Sequence, residues 1–130
     1  MNHSPHGNKP GCFLHPKERD AIRVLISFIR DGCPDGPLPD GFPINQIEDF
    51  RRVALEYFSD PPDPIHHFRI DVPSDDFVRT QAAVYWRPSG MQIELALTTD
   101  GESSDLTAVF DMDRQSTTFA GPKLYDLHVL

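Results

Sequence analysis

Two polar residues near the end of the chain could form a catalytic pair. Asp105 and His128 lie in segments where polar and apolar residues alternate, a pattern typical of β-strands. If the two strands are antiparallel neighbours, the carboxylate could lie beside the imidazole, favour its protonated form and orient its ring. In the structural alternative, Asp105 caps a turn and His128 occupies the solvated face of its strand. Ordinary strand alternation favours this alternative.

A second candidate site involves histidine and aromatic residues. His66 and His67 begin an alternating segment, so their rings should point to opposite faces of a strand. One of them, His67 in our assignment, could act as a general base with Tyr57 or Asp71, in a pocket between helices and sheet. Simple polarity at the start of a strand explains the same residues and is the favoured interpretation.

Tyr85 and Trp86 are adjacent in another predicted strand, so one ring should face each side of the sheet. An exposed ring among acidic residues would suit a protein interface or a cationic ligand. Core packing is the more ordinary role for Trp86.

Metal-binding patterns in the sequence are weak. Cys12, His15 and Cys33 are residue types that zinc binds, but a predicted helix of about 15 residues separates the cysteines by roughly 22 Å. That span exceeds both the roughly 7 Å between the Cα atoms of a disulfide and the size of a zinc site. The sequence also contains one acidic turn, formed by Asp100, Glu102 and Asp105. Its spacing lacks the ligand pattern of an EF-hand. We expect no metal, cofactor or disulfide, and the sequence has no P-loop, nucleophile elbow or dinucleotide fingerprint.

The elements that must position these residues divide the chain into two parts. Apolar residues at helical spacing predict one helix from His15 to about Asp31 and a second from Asn45, with Glu48 completing a capping box, to about Phe58. A loop rich in proline and glycine, residues 32–43, separates them. From His66 onward the period changes to two and predicts strands at residues 66–72, 78–87, 91–97, 106–112 and 125–129.

This order of elements predicts an α+β fold with two N-terminal helices packed on a four- or five-stranded antiparallel sheet. Cystatin-like and nuclear-transport-factor-like folds have the same general shape. The length of 130 residues predicts one domain, residues 15–130, preceded by a flexible tail, residues 1–14.

Charge and hydropathy restrict the partners. The net charge of −8 repels nucleic-acid phosphates and anionic lipids, and it would suit a basic protein partner. Solubility alone explains the same charge and is the favoured interpretation. No signal-like start and no apolar run long enough for a membrane span is present, so we expect a cytoplasmic protein.

Two C-terminal stretches, GESSDLT at residues 101–107 and LYDLHVL at residues 124–130, carry a family resemblance. They resemble the signature of an uncharacterised bacterial domain family, in which Gly-x-Ser-Asp-Leu-Thr precedes a terminal Asp-Ile-His-Val strand. This chain inserts Glu102 and Ser103 and has Leu127 in place of Ile. The resemblance implies a bacterial origin and a shared fold, and it implies no activity.

Two functions remain open from the sequence. The leading hypothesis is a non-enzymatic protein-binding domain. It would be immunity-like in the sense that it neutralises or accompanies another protein. A partner could bind by extending the sheet at a C-terminal edge strand. The alternative is a small-molecule-binding domain, hydrolase or isomerase with a cone-shaped pocket. That pocket would be lined by Tyr57, Phe68, Trp86 and a histidine. A deep pocket with a polar floor would favour the alternative, and a filled interior would favour the first hypothesis.

Overall fold

The computed structural model describes residues 9–10, 14–58, 70–88, 90–112 and 121–129. These residues form three α-helices and a five-stranded antiparallel sheet, which confirms the predicted α+β class. The helices are α1 (Pro16–Arg30), α2 (Ile47–Phe58) and α3 (Asp75–Gln81). The strands are β1 (Lys9–Pro10), β2 (Ala83–Arg87), β3 (Gly90–Thr99), β4 (Glu102–Met112) and β5 (Lys123–Val129).

Local capping explains the limits of α1. Pro16 occupies the first turn, and the His15 N–H donates to the Glu18 carboxylate at 2.7 Å. At the other end Gly32 adopts a φ of 85°, and the Cys33 N–H reaches back to the Phe28 carbonyl at 3.0 Å. This is the Schellman arrangement that ends many helices. The free thiol of Cys33 is buried at this end of the helix, and the burial raises the pKa of the thiol to about 11.

The predicted second helix is present, but it begins differently. A 3-10 turn, Ile44–Gln46, precedes α2, so Asn45 lies inside that turn rather than at the helix cap. Arg51 joins α2 to the end of α1, because its Nε donates to the carbonyls of Gly32 at 3.2 Å and Cys33 at 3.0 Å.

The prediction of a strand from residue 78 was wrong for its first part, because Asp75–Gln81 form α3. Ser74 caps this helix by accepting a hydrogen bond from the Phe77 N–H at 3.0 Å, and two aspartates occupy the first turn. These local interactions outweigh the alternation, and the strand begins only at Ala83. The strand predicted at residues 66–72 is also wrong at its described end, since residues 70–72 form no strand; residues 66–69 lie outside the described part.

The sheet order is β1-β2-β3-β4-β5, with every neighbouring pair antiparallel. Lys9 and Pro10, within the range predicted as a tail, pair with Val84 and Ala83, and Leu14 is buried. The folded part of the chain therefore begins earlier than residue 15.

One hydrophobic core joins the helices to a single face of the sheet, called here the inner face. Its apolar side chains alternate along β3 and β4 as the period of two predicts. The side chains at its centre are completely buried: Ile22, Leu25, Ile26, Ile29, Val84, Ile93, Leu106 and Phe110. Among the described residues, no buried side-chain nitrogen or oxygen lacks a hydrogen-bond partner.

A carboxylate holds the hairpin between β3 and β4. Asp100 and Gly101 have φ values of 51° and 81° and join the pair Thr99 and Glu102, the geometry of a two-residue type I′ turn. The Asp71 carboxylate accepts hydrogen bonds from Gly101 N at 2.8 Å, Thr98 Oγ1 at 2.7 Å and Asp100 N at 3.1 Å. These bonds, with that of Gly101 the strongest cause, lower the Asp71 pKa.

Replacing Asp71 by Asn should lower the free energy of unfolding at pH 7 by roughly 1.5–3 kcal/mol, the usual range for hydrogen bonds to a charged group. Because the folded-state pKa is lowered, this stabilisation is present above the unfolded pKa of roughly 3.9 and is lost as the pH falls through the folded value. Urea unfolding at pH 7 and at acidic pH should therefore show that the free energies of unfolding of the two proteins become more similar as the pH falls. Asp49→Asn, an exposed control, should change stability by only about 0.5 kcal/mol. If the free energies of unfolding of Asp71→Asn and the unmodified protein differed by the same amount at both pH values, the ionised Asp71 carboxylate would not be what stabilises the hairpin.

Candidate functional site

The strand β5 lies at the edge of the sheet, as predicted for the C-terminal strand. On one side it pairs with β4. On the other, the Leu124 N–H donates to the Gly41 carbonyl at 2.8 Å. No other described residue makes a backbone hydrogen bond to this second side, called here the outer edge of β5.

Gly41 reaches β5 because the loop that carries it is anchored in the core. The buried ring of Phe42 packs edge-on against Phe28 and Phe50, with centroid distances of 4.9 and 5.5 Å. Gly41 has a φ of 91°, and a Cβ atom there would lie 2.3 Å from the Pro122 carbonyl oxygen. Only glycine permits this approach without displacing the backbone.

A β-bulge interrupts β5 directly after the contact with Gly41. Phe110 is paired with Leu124 but Val109 with Asp126, so Tyr125 is an extra residue on the edge strand. The Tyr125 side chain is 59% exposed, which is unusual for an aromatic residue so near the core.

Two open grooves flank the contact between Gly41 and Leu124. The larger, called here the edge groove, has a volume of about 420 Å³. It is lined by Gly41, Phe42, Pro43, Gln46, Asp111, Lys123, Leu124 and Tyr125. The smaller has a volume of about 290 Å³ and is lined by Ala21, Asp40, Gly41, Gly121, Pro122 and Lys123. Ile44, 69% exposed, follows Pro43 in the chain and adds apolar surface near the edge groove.

Among the described side chains near the edge groove, acidic ones outnumber basic ones. Asp111 and Lys123 are direct cross-strand partners and both are exposed. Asp40 and Asp126 are also exposed, one beside Gly41 in the loop and the other just after the bulge. Within the described part of this surface acidic groups are therefore more numerous than basic ones, in keeping with the net charge of −8 of the chain.

The predicted pairing of Asp105 with His128 is not a direct one. His128 is the cross-strand partner of Thr107, and Asp105 lies two residues before Thr107 in β4. The side chains of Asp105 and His128 lie outside the described part of the structure, so their role as an acid–base pair stays a prediction.

The aromatic candidates lie away from the edge groove. Tyr85 and Trp86 are in β2, which β3 and β4 separate from β5. Trp86 shares the inner face with Val84, pairs with Met91 and is 39% exposed, whereas half-buried Tyr85 points to the other face. Each face thus receives one ring, as the alternation predicts.

The remaining site residues can be placed only by their position in the chain. Tyr57 belongs to α2, and its side chain is outside the described part; His67 and Phe68 lie wholly outside it. The pocket between helices and sheet therefore stays a prediction. No three His, Cys, Asp or Glu side chains of the described residues are grouped as a metal site would require. Within the same residues, no helix is long and apolar enough to cross a membrane.

Sequence reasoning missed the residues that form the edge groove. Gly41 and Leu124 are far apart in the chain, and no local pattern indicates that they meet. The one available signal was the Asp-Gly-Phe-Pro stretch at residues 40–43, in which a large apolar residue interrupts a turn-forming loop.

The fold and this site were compared with known proteins. No family model matches the chain, and the searches of curated proteins and of solved structures found no similar protein.

Proposed function

We propose that this protein is a protein-binding domain that receives an extended segment of its partner along the outer edge of β5. The observation that carries the proposal is the position of β5: it is hydrogen-bonded to β4 on one side and, among the described residues, only to Gly41 on the other. The leading hypothesis from the sequence, a non-enzymatic binding domain, agrees with this surface.

Exposed edge strands bind peptides by strand addition, in which main-chain hydrogen bonds supply affinity and side-chain pockets supply specificity. Natural edges are often protected by bulges and charges, and β5 has both, in Tyr125 and Lys123. Here the bulge follows the short stretch that Gly41 already occupies. The strand from Tyr125 to Val129 continues beyond it and offers several residues for pairing.

The opposite edge gives an internal comparison. The described part of β1 consists of Lys9 and Pro10, and proline has no N–H to donate. Strand addition is therefore favoured at β5 over β1.

The proposal can be tested with a short synthetic peptide in which Lys alternates with Val and one Trp replaces a central Val. We expect saturable binding by fluorescence anisotropy and amide chemical-shift changes in NMR spectra concentrated at β5. The same peptide, N-methylated at its central residues, keeps its charge and side chains but loses the main-chain donors. It should bind at least about tenfold more weakly, the equivalent of one or two lost hydrogen bonds.

Equal binding of the two peptides would show that charge alone attracts them and would contradict strand addition. Shift changes confined to β1 or to the helices would also contradict the assigned surface.

A further inference from the structure

We infer that the edge groove is a specificity pocket for one bulky apolar side chain of a segment that also carries Lys or Arg. This inference rests on the proposed strand addition at β5. It names the partner by its chemistry: an extended, basic and apolar segment of another protein.

The groove and the outer edge of β5 form one continuous surface. Gly41 occupies the edge at Leu124, so an added strand can pair only from the bulge onward. Tyr125 is both the first residue of that remaining edge and part of the groove lining. The end of an added strand therefore arrives at the groove, where its next side chain can enter.

The size and lining of the groove suit one large side chain. Its volume of about 420 Å³ lies near the lower limit of ligand pockets, which span roughly 300–1,000 Å³. Four apolar lining residues form the walls: Phe42, Pro43, Leu124 and Tyr125. The polar lining residues are Gln46, Asp111 and Lys123. Protein interfaces place bulky anchor residues in pockets with apolar surface and put polar groups at the rim, and this lining supplies both kinds of side chain.

Charge decides between a foreign segment and a second copy of this chain. Among the described residues that line the two grooves, the exposed carboxylates of Asp40 and Asp111 outnumber the ammonium group of Lys123. A second copy would bring another net charge of −8 to this surface, and the two copies would repel each other. A segment carrying Lys or Arg is attracted instead.

Selection from a random library of linear peptides displayed on phage tests the inference without a known partner. On the unmodified protein we expect selected sequences that place a bulky apolar residue among Lys or Arg residues. Gln46→Trp should fill the groove and remove the apolar preference. Asn45→Trp, on the same exposed turn but outside the groove lining, is the matched control and should leave it intact. Selected sequences rich in acidic residues, or the same preference with Gln46→Trp, would overturn the inference.

Binding of the synthetic peptide separates this inference from the proposed function. Replacing its Trp by Ala should weaken binding at least about tenfold to the unmodified protein, and clearly less to Gln46→Trp. Asp111→Lys should weaken binding of the basic peptide, whereas Glu56→Lys on α2, outside the groove lining, should have a smaller effect. NMR spectra of each variant report whether the fold is kept.

If N-methylation weakens binding but replacement of the peptide Trp does not, strand addition stands and the groove inference fails. If replacement of the Trp weakens binding but N-methylation does not, strand addition itself is wrong. A dimer of the free protein that Gln46→Trp dissociates would place a second copy in the groove and overturn the choice of a basic partner.

Discussion

Replacing Gly41 by Ala is expected to lower the free energy of unfolding by roughly 3 kcal/mol, a large effect for the addition of one methyl group. Two costs combine. An L-residue pays roughly 1–2 kcal/mol to hold a left-handed conformation, and the φ of Gly41 is 91°. The new Cβ atom would also lie 2.3 Å from the Pro122 carbonyl oxygen, so loop and strand must separate and the hydrogen bond to Leu124 is weakened.

Gly101→Ala is the matched control for this substitution. Gly101 has a similar φ of 81°, but a Cβ atom there meets no atom within 4 Å. It should therefore show only the conformational cost, roughly 1–2 kcal/mol. Urea unfolding of both variants measures the difference. If the two substitutions cost the same, the close contact between loop and strand is absent in solution.

The edge groove is formed by the same contact, so Gly41→Ala should also change peptide recognition. A displaced loop alters the walls of the groove at Phe42 and Pro43 while leaving the pairing of β4 with β5 in place. We expect the preference for a bulky side chain to weaken even where the protein stays folded.

Much of the fold was predictable because it depends on local patterns. Helical spacing of apolar residues and a glycine at the end placed α1 almost to the residue. Alternation of polar and apolar residues predicted β3, β4 and β5, and the Asp100-Gly101 pair indicated the turn between β3 and β4.

The errors arose where two local signals competed. Residues 78–81 alternate as a strand would, yet Ser74 and the two aspartates after it start a helix that continues through them. A serine followed by acidic residues is itself a helix-start signal, and giving it more weight would have found α3.

The candidate site was less predictable than the fold, because it depends on contacts between distant parts of the chain. Sequence reasoning identified the edge strand and the acidic character of the chain. It could not foresee that Gly41 meets Leu124, because a loop position is set by the anchoring of Phe42 in a core that must form first. Nor could it foresee the bulge that exposes Tyr125, since the register of β5 is set by its pairing with β4.

Phe110→Ala should be the most destabilising of these substitutions, at roughly 3–5 kcal/mol. Phe110 is completely buried in the central part of β4, and it pairs with Ile93 on one side and Leu124 on the other. Truncation removes apolar contacts and leaves a cavity that rigid strands cannot close. Chemical denaturation at neutral pH measures the loss.

Tyr125→Ala is the matched aromatic control, because Tyr125 is the extra residue of the bulge next to the Phe110–Leu124 pair but is mostly exposed. It should change stability by only about 0.5 kcal/mol, as surface substitutions usually do, while weakening binding of the Trp-containing peptide. The two aromatic residues thus have different roles at this bulge: buried Phe110 supports the sheet, and exposed Tyr125 can contact a partner. A small stability loss for Phe110→Ala, or a large one for Tyr125→Ala, would show that this division is wrong.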